Sequence, residues 1–120
     1  MTEKPPVEAL EGARLVVSVA SDKQASDITL LDMRGPFSFT DYFVIITGES
    51  YRQMDALEDE INHALKTAGL PLHHREGSNG GGWVILDYGD LVVHVFAPEE
   101  REYYELERLW SQYPVMLRVQ

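Results

Sequence analysis

From residue 7 to about residue 20, apolar side chains recur at Leu10, Ala13, Val17 and Ala20, a spacing that predicts a helix with one buried stripe. Pro5 and Pro6 stand before it, where a missing backbone N–H is tolerated. Lys23, Gln24, Ser26 and Asp27 break the pattern, and residues 28–33 read as a strand closed by Arg34-Gly35-Pro36. Residues 41–48 are a continuous apolar, β-branched and aromatic run, the mark of a strand covered on both faces. Ser50-Tyr51-Arg52-Gln53 has the form of a capping box, and Met54, Leu57, Ile61, Leu65 and Ala68 line one side of the helix it opens. Gly69 is placed to end that helix. Residues 72–77 read as a short polar edge strand, 78–82 as a glycine loop, and 83–96 as a hairpin turning at Tyr88-Gly89-Asp90. Pro98 opens a last helix, with Glu99 and Glu100 near its positive end, that carries Tyr103, Leu106, Leu109 and Trp110. The apolar tail from Pro114 is left unassigned.

The order α β β α β β β α predicts an α/β (α+β) domain: a single mixed β-sheet of about five strands flanked by helices. At 120 residues, the chain is expected to form one domain over 1–120. The absence of cysteine excludes disulfides, thiolate zinc and cysteine nucleophiles. No apolar run approaches the ~20 residues that span a bilayer. The first twelve residues are acidic and proline-containing, unlike a secretory signal, and a cytoplasmic location is expected.

Charge narrows the partners. Twenty acids against ten bases give a formal net charge of −10, with three Lys and seven Arg spread singly. Nucleic-acid binding draws on clustered bases, so direct contact with nucleic acid is not expected to dominate. An acidic surface attracts basic proteins and speeds encounter with them.

The hairpin concentrates the candidate chemistry. Asp87 and Asp90 are three apart and straddle a turn, whereas a magnesium-dependent nucleotidyltransferase needs D-x-D on one strand face. No phosphate-binding glycine motif occurs, and Glu49 beside Gly48 would repel phosphate. His94 alternates with Val92 and Phe96, the position of a core or edge histidine held by one hydrogen bond. Adjacent His73 and His74 point to opposite faces of a strand and do not share a metal. Asp90 beside Gly89 also suits a turn acid bonding its own backbone. Neither a catalytic group nor a metal or other cofactor is expected. The aromatics Trp83, Tyr88, Phe96, Tyr103, Tyr104 and Trp110, set among acids, suit a protein interface.

"TDYFVIITGES" with "RQM", "WVILDYGDLVVHVF" and "PEEREYYELERLW" together closely resemble the Iojap/RsfS family of ribosomal silencing factors, over about residues 10–112. The resemblance implies a non-enzymatic repressor of translation. Such a factor binds the large ribosomal subunit through the basic ribosomal protein numbered fourteen. It sterically blocks joining of the small subunit when nutrients are scarce. The implied fold is nucleotidyltransferase-like in topology without the catalytic motif, and some members form homodimers. Family motif positions fall on Trp83, Asp87, Tyr88, Asp90, His94 and Phe96, and on Glu100, Arg101, Tyr104, Leu106 and Trp110. The partner-binding set expected from them is Trp83, Asp87, Tyr88, Asp90, His94, Glu100, Arg101 and Tyr104, with the acids meeting Lys or Arg of the partner. Phe96 and Trp110 are expected to hold the fold. The alternative on the same fold is a nucleotide-binding or nucleotidyltransferase-like enzyme.

Overall fold

The computed structural model describes residues 7–36, 38–104, 108 and 111–120 of the chain. The first apolar stripe closes into α1 (Ala9–Asp22), which buries Gly12, Ala13, Val16, Val17 and Ala20. β1 (Ser26–Asp32) and β2 (Tyr42–Thr47) follow as an antiparallel pair, and every residue of β2 is buried. Ser50 caps α2 (Tyr51–Thr67), its hydroxyl accepting from the Gln53 N–H at 3.1 Å. Gln53 reaches back to accept from the Glu49 N–H at 2.6 Å, and its Nε2 donates to the carbonyls of Lys23 and Gln24. One side chain therefore caps α2 and ties it to the end of α1. Met54, Leu57, Ile61 and Leu65 are the buried face of α2, as their spacing predicts.

β3 (His74–Ser78), β4 (Trp83–Asp87) and β5 (Leu91–Phe96) form antiparallel ladders, and α3 (Pro98–Tyr104) follows β5 directly. Leu106, Leu109 and Trp110, expected on this helix, lie outside the described residues, as do Pro5 and Pro6. The unassigned tail forms β6 (Val115–Val119), antiparallel to β1, so the sheet has six strands in the order β3-β4-β5-β2-β1-β6. β2 and β5 are parallel neighbours at its centre, in register from Tyr42 against Leu91 to Thr47 against Phe96.

α1 and α2 cover one face, where Ile28, Leu30, Val44, Ile46, Val84, Leu86, Val93 and Val95 join their stripes in the main core. The opposite face buries a smaller cluster of Leu31, Met33, Phe43, Ile45, Val92 and Phe96 under Trp83, Ile85 and Tyr113. The edges differ. β3 is exposed and polar, with Arg75 bound to Glu58 of α2, whereas β6 exposes Val115, Met116 and Leu117. Among the described residues, no helix is long and apolar enough to cross a membrane.

The β3–β4 hairpin contains both an obligatory glycine, within β3, and a free one, in the loop. Gly77 has φ +88°, and a Cβ there would lie 2.1 Å from the Trp83 carbonyl oxygen, whereas Gly80 has nothing within 4 Å. We expect Gly77→Ala to cost at least about 2 kcal/mol in urea unfolding, by strain and loss of the β3–β4 ladder. Gly80→Ala should stay within about 0.5 kcal/mol of the parent. Equal effects at the two positions would remove the assigned role of Gly77.

Candidate functional site

β4 alternates between half-buried and buried residues, which places Trp83, Ile85 and Asp87 on the face opposite α1 and α2. His94 and Val92 of β5, and Phe43 of β2, lie beside them. With Phe39, His74 and Glu76 these residues line a groove of about 330 Å³. Phe39, in the loop before β2, is 77% exposed and meets Phe43 in a T-shaped arrangement, 6.0 Å between centroids. The apolar floor is thus rimmed by Glu76, Asp87 and His74, and His74 Nε2 lies 2.9 Å from Glu76 Oε1.

Trp83 closes one end of the groove. Its indole stacks on Phe96 at 4.9 Å and meets Tyr104 of α3 at 4.7 Å. Its Nε1–H donates to His94 Nδ1 at 3.2 Å. A neutral imidazole that accepts at Nδ1 carries its proton on Nε2. Burial pushes the His94 imidazole down to about 4, so the ring is neutral near pH 7. Tyr104 remains 42% exposed beside Tyr103 at 80%, and these rings continue the apolar surface past Trp83.

The structure divides the residues singled out in the sequence. Trp83, Asp87 and Tyr104 share the groove face. Tyr88 is corrected from a surface group to a core one: it is 3% exposed, its hydroxyl is bonded to Asn62 Oδ1, and burial raises its phenol above the usual range. His94, at 4% exposure, is the hydrogen-bonded core histidine that its alternation predicts, and it supports Trp83 from beneath rather than facing a partner. Asp90 is exposed at the turn, where its carbonyl accepts from the N–H groups of Asp41 and Tyr42. It lines a different hollow, with Glu8, with Ala9 of α1 and with Leu70. Asp87 Oδ1 accepts from Gly89 N at 2.8 Å, the turn bond expected for Asp90.

Arg101 turns inward: its guanidinium donates to Thr47 Oγ1 at 3.0 Å, to Thr29 Oγ1 at 3.3 Å and to the Asp27 carbonyl. It fastens α3 to β1 and β2. Glu100 packs over Gly82, whose φ of +78° leaves no room for a Cβ, and the Gly82 carbonyl accepts from Ala97 N at 2.9 Å. Gly82, given no role by the sequence, therefore seats the start of α3 against the hairpin. Phe39 and Glu76 are groove residues that sequence reasoning missed; for Phe39 the signal was an aromatic set between Ser38 and Thr40 in a proline-containing loop. Asp87 and Asp90 do not share a site. Among the described residues, no group of three or more His, Asp or Glu is placed to hold a metal ion.

Comparison with known proteins gives a consistent result. The family model described as "Ribosomal silencing factor during starvation" matches residues 6–120. The chain is similar to ribosomal silencing factor RsfS of Bacillus subtilis, 40% identical over 102 residues that cover 85% of this chain and 86% of the relative. A mouse relative named mitochondrial assembly of ribosomal large subunit protein 1 is 35% identical over 100 residues, 81% of this chain and 44% of its own length. A crystal structure of a Chromobacterium violaceum protein superposes with a TM-score of 0.81 at 37% identity, covering 88% of both chains.

The buried His94 makes stability depend on pH. An unfolded histidine takes up its proton near pH 6.5, whereas the folded ring does so near 4. The contribution is fully present above pH 6.5 and is lost as pH falls toward 4, because the unfolded chain binds the proton first. Urea unfolding at pH 7.5 and 4.5 should show the parent losing about 2 kcal/mol more than His94→Gln over that interval. Equal losses would mean that the ring is not held neutral.

Proposed function

The chain belongs to the ribosomal silencing factor family, whose members regulate translation and are not enzymes, and we propose that it represses translation by docking its groove face on the large ribosomal subunit. The observation that carries this reading is the groove itself, where Phe39, Ile85, Trp83 and Tyr104 present apolar surface beside Glu76 and Asp87. Exposed aromatics ringed by charge are the composition of interface anchors. The acidic rim and the net charge of −10 select a basic partner. The family resemblance implies that this partner is the basic ribosomal protein numbered fourteen. The name of the mouse relative, which refers to the large subunit, supports the choice of subunit.

In this reading the bound factor occupies space that the small subunit needs, so repression is steric and requires no chemical step. It acts in the cytoplasm, on free large subunits, when nutrients are limiting. Tyr88 and His94 serve by supporting the face, Arg101 and Glu100 by positioning α3, and Trp83, Asp87 and Tyr104 by contact.

Purified large subunits incubated with the protein, then mixed with small subunits and separated on a sucrose gradient, should show a reduced joined peak and the protein comigrating with large subunits. Unchanged joining without comigration overturns the reading. Phe39→Asp and Glu76→Lys should each weaken binding to large subunits about tenfold or more. Asp90→Lys changes net charge by the same amount as Glu76→Lys, and it should bind like the parent because it lies outside the groove. Equal effects of the two lysine variants would place the interface elsewhere.

A further inference from the structure

We infer that a second cleft, on the far side of α3 from the groove, binds a small phosphorylated molecule of mononucleotide size. The cleft encloses about 550 Å³, and its lining includes Thr29, Thr47, Glu49, Arg101 and Arg118. That volume lies within the range of small-molecule sites. Thr47 ends β2, and Pro98 and Arg101 follow the end of β5, so the cleft opens at the carboxyl ends of the parallel pair. In open α/β sheets that crevice is where ligands bind.

The floor is built from polar groups. Thr29 and Thr47 are 1% and 3% exposed, and both hydroxyl oxygens accept from Arg101. Each hydroxyl keeps its own proton, and among the described residues no acceptor takes it. Asp27 stands at an irregularity in the β1–β2 register with φ +45°, a strained conformation for a residue with a side chain. Its carbonyl is thereby brought to the Arg101 guanidinium, which is held against the two threonines.

Arg118 supplies the charge. It lies across from Thr29 in the β1–β6 ladder and is exposed, and among the described residues no carboxylate pairs with it. A guanidinium fork beside two hydroxyl donors matches the oxygens of a phosphate. Asp27, Glu49 and Glu102 also border the cleft, Glu49 Oε1 accepting from Ser26 Oγ at 2.7 Å. Carboxylates there repel a bare polyanion and accept from sugar hydroxyls. The combination selects a phosphate carried on a hydroxylated group, as in a nucleoside phosphate. Among the described residues no metal-binding cluster accompanies it, and the assigned role is binding without turnover.

Isotope-labelled protein titrated with ADP, and separately with inorganic pyrophosphate, tests the site through backbone amide shifts. ADP should give saturable shifts at Thr29, Thr47 and Arg118, and pyrophosphate should bind more weakly. Arg118→Gln should weaken ADP about tenfold or more, the worth of one charge-assisted contact. Glu76→Lys, in the groove, should leave the affinity unchanged. Absence of saturable shifts with both probes, or unaltered affinity in Arg118→Gln, overturns the proposal. Pyrophosphate binding as tightly as ADP overturns the assigned class, and binding of a short single-stranded RNA but of neither small molecule replaces it with a nucleic-acid contact. The amide spectrum of the free variant reports whether β6 still pairs with β1. If Arg118→Gln unpairs it, Arg118→Lys keeps the charge without the fork, and unchanged ADP affinity there overturns the proposal.

Discussion

Everything in this fold depends on the parallel pairing of β2 with β5. Both strands are buried along their whole length, so the centre of the sheet must be covered on both faces. Six registered pairs, from Tyr42–Leu91 to Thr47–Phe96, fix which side chains point each way. Burying one Phe, Ile or Leu stabilises the fold by about 1.5–3 kcal/mol, so exposing either face would cost several times that. α1 and α2 meet the demand on one side with full apolar stripes and a shared Gln53 tie. On the other side the cover is local. A seven-residue helix is fastened through Arg101, Trp83 is laid across Phe96, and Ile85 and Tyr113 fill beside them.

That economy produces the groove face. Among the described residues, Trp83, Ile85 and Tyr104 cover this core and also show part of their surface to solvent. The same residues therefore stabilise the sheet from within and present an apolar anchor outward. His94 permits this, because a buried neutral imidazole gives the Trp83 N–H an acceptor without placing a charge beneath the groove.

The parts of the fold governed by local physics were legible in the sequence. The α2 stripe, the Ser50 cap, the doubly covered β2 and the 83–96 hairpin follow from spacing and turn chemistry within a few residues. β6 was not legible, because its pairing with β1 closes a loop of more than eighty residues and its five residues carry no pattern of their own. The expected docking set was legible only in part, for a related reason. Alternation along β4 and β5 separates two faces but does not say which one a helix covers. Tyr88 accordingly carries the polarity of a surface group while lying in the core. Arg101 carries a charge that sequence reasoning turns outward, yet its acceptors are two threonines distant in sequence and the carbonyl of a strained Asp27.

The charge of the chain joins these observations. Twenty acids and ten bases leave at least ten carboxylates that no internal base can match. Of the bases, Arg34 lies on Asp32, Arg75 on Glu58 and Lys23 near Glu60, ion pairs that brace single elements or neighbouring ones. The unmatched acids repel one another, a repulsion that a basic protein bound at the proposed groove face would relieve. α3 then acts as a boundary. Its Tyr104 side belongs to the acidic, apolar groove, and its Arg101 side belongs to the cleft that carries Arg118. α3 thus separates an acid-rimmed apolar groove from a polar cleft lined by both arginines and carboxylates, and the same tie from Arg101 to Thr29 and Thr47 holds both in place.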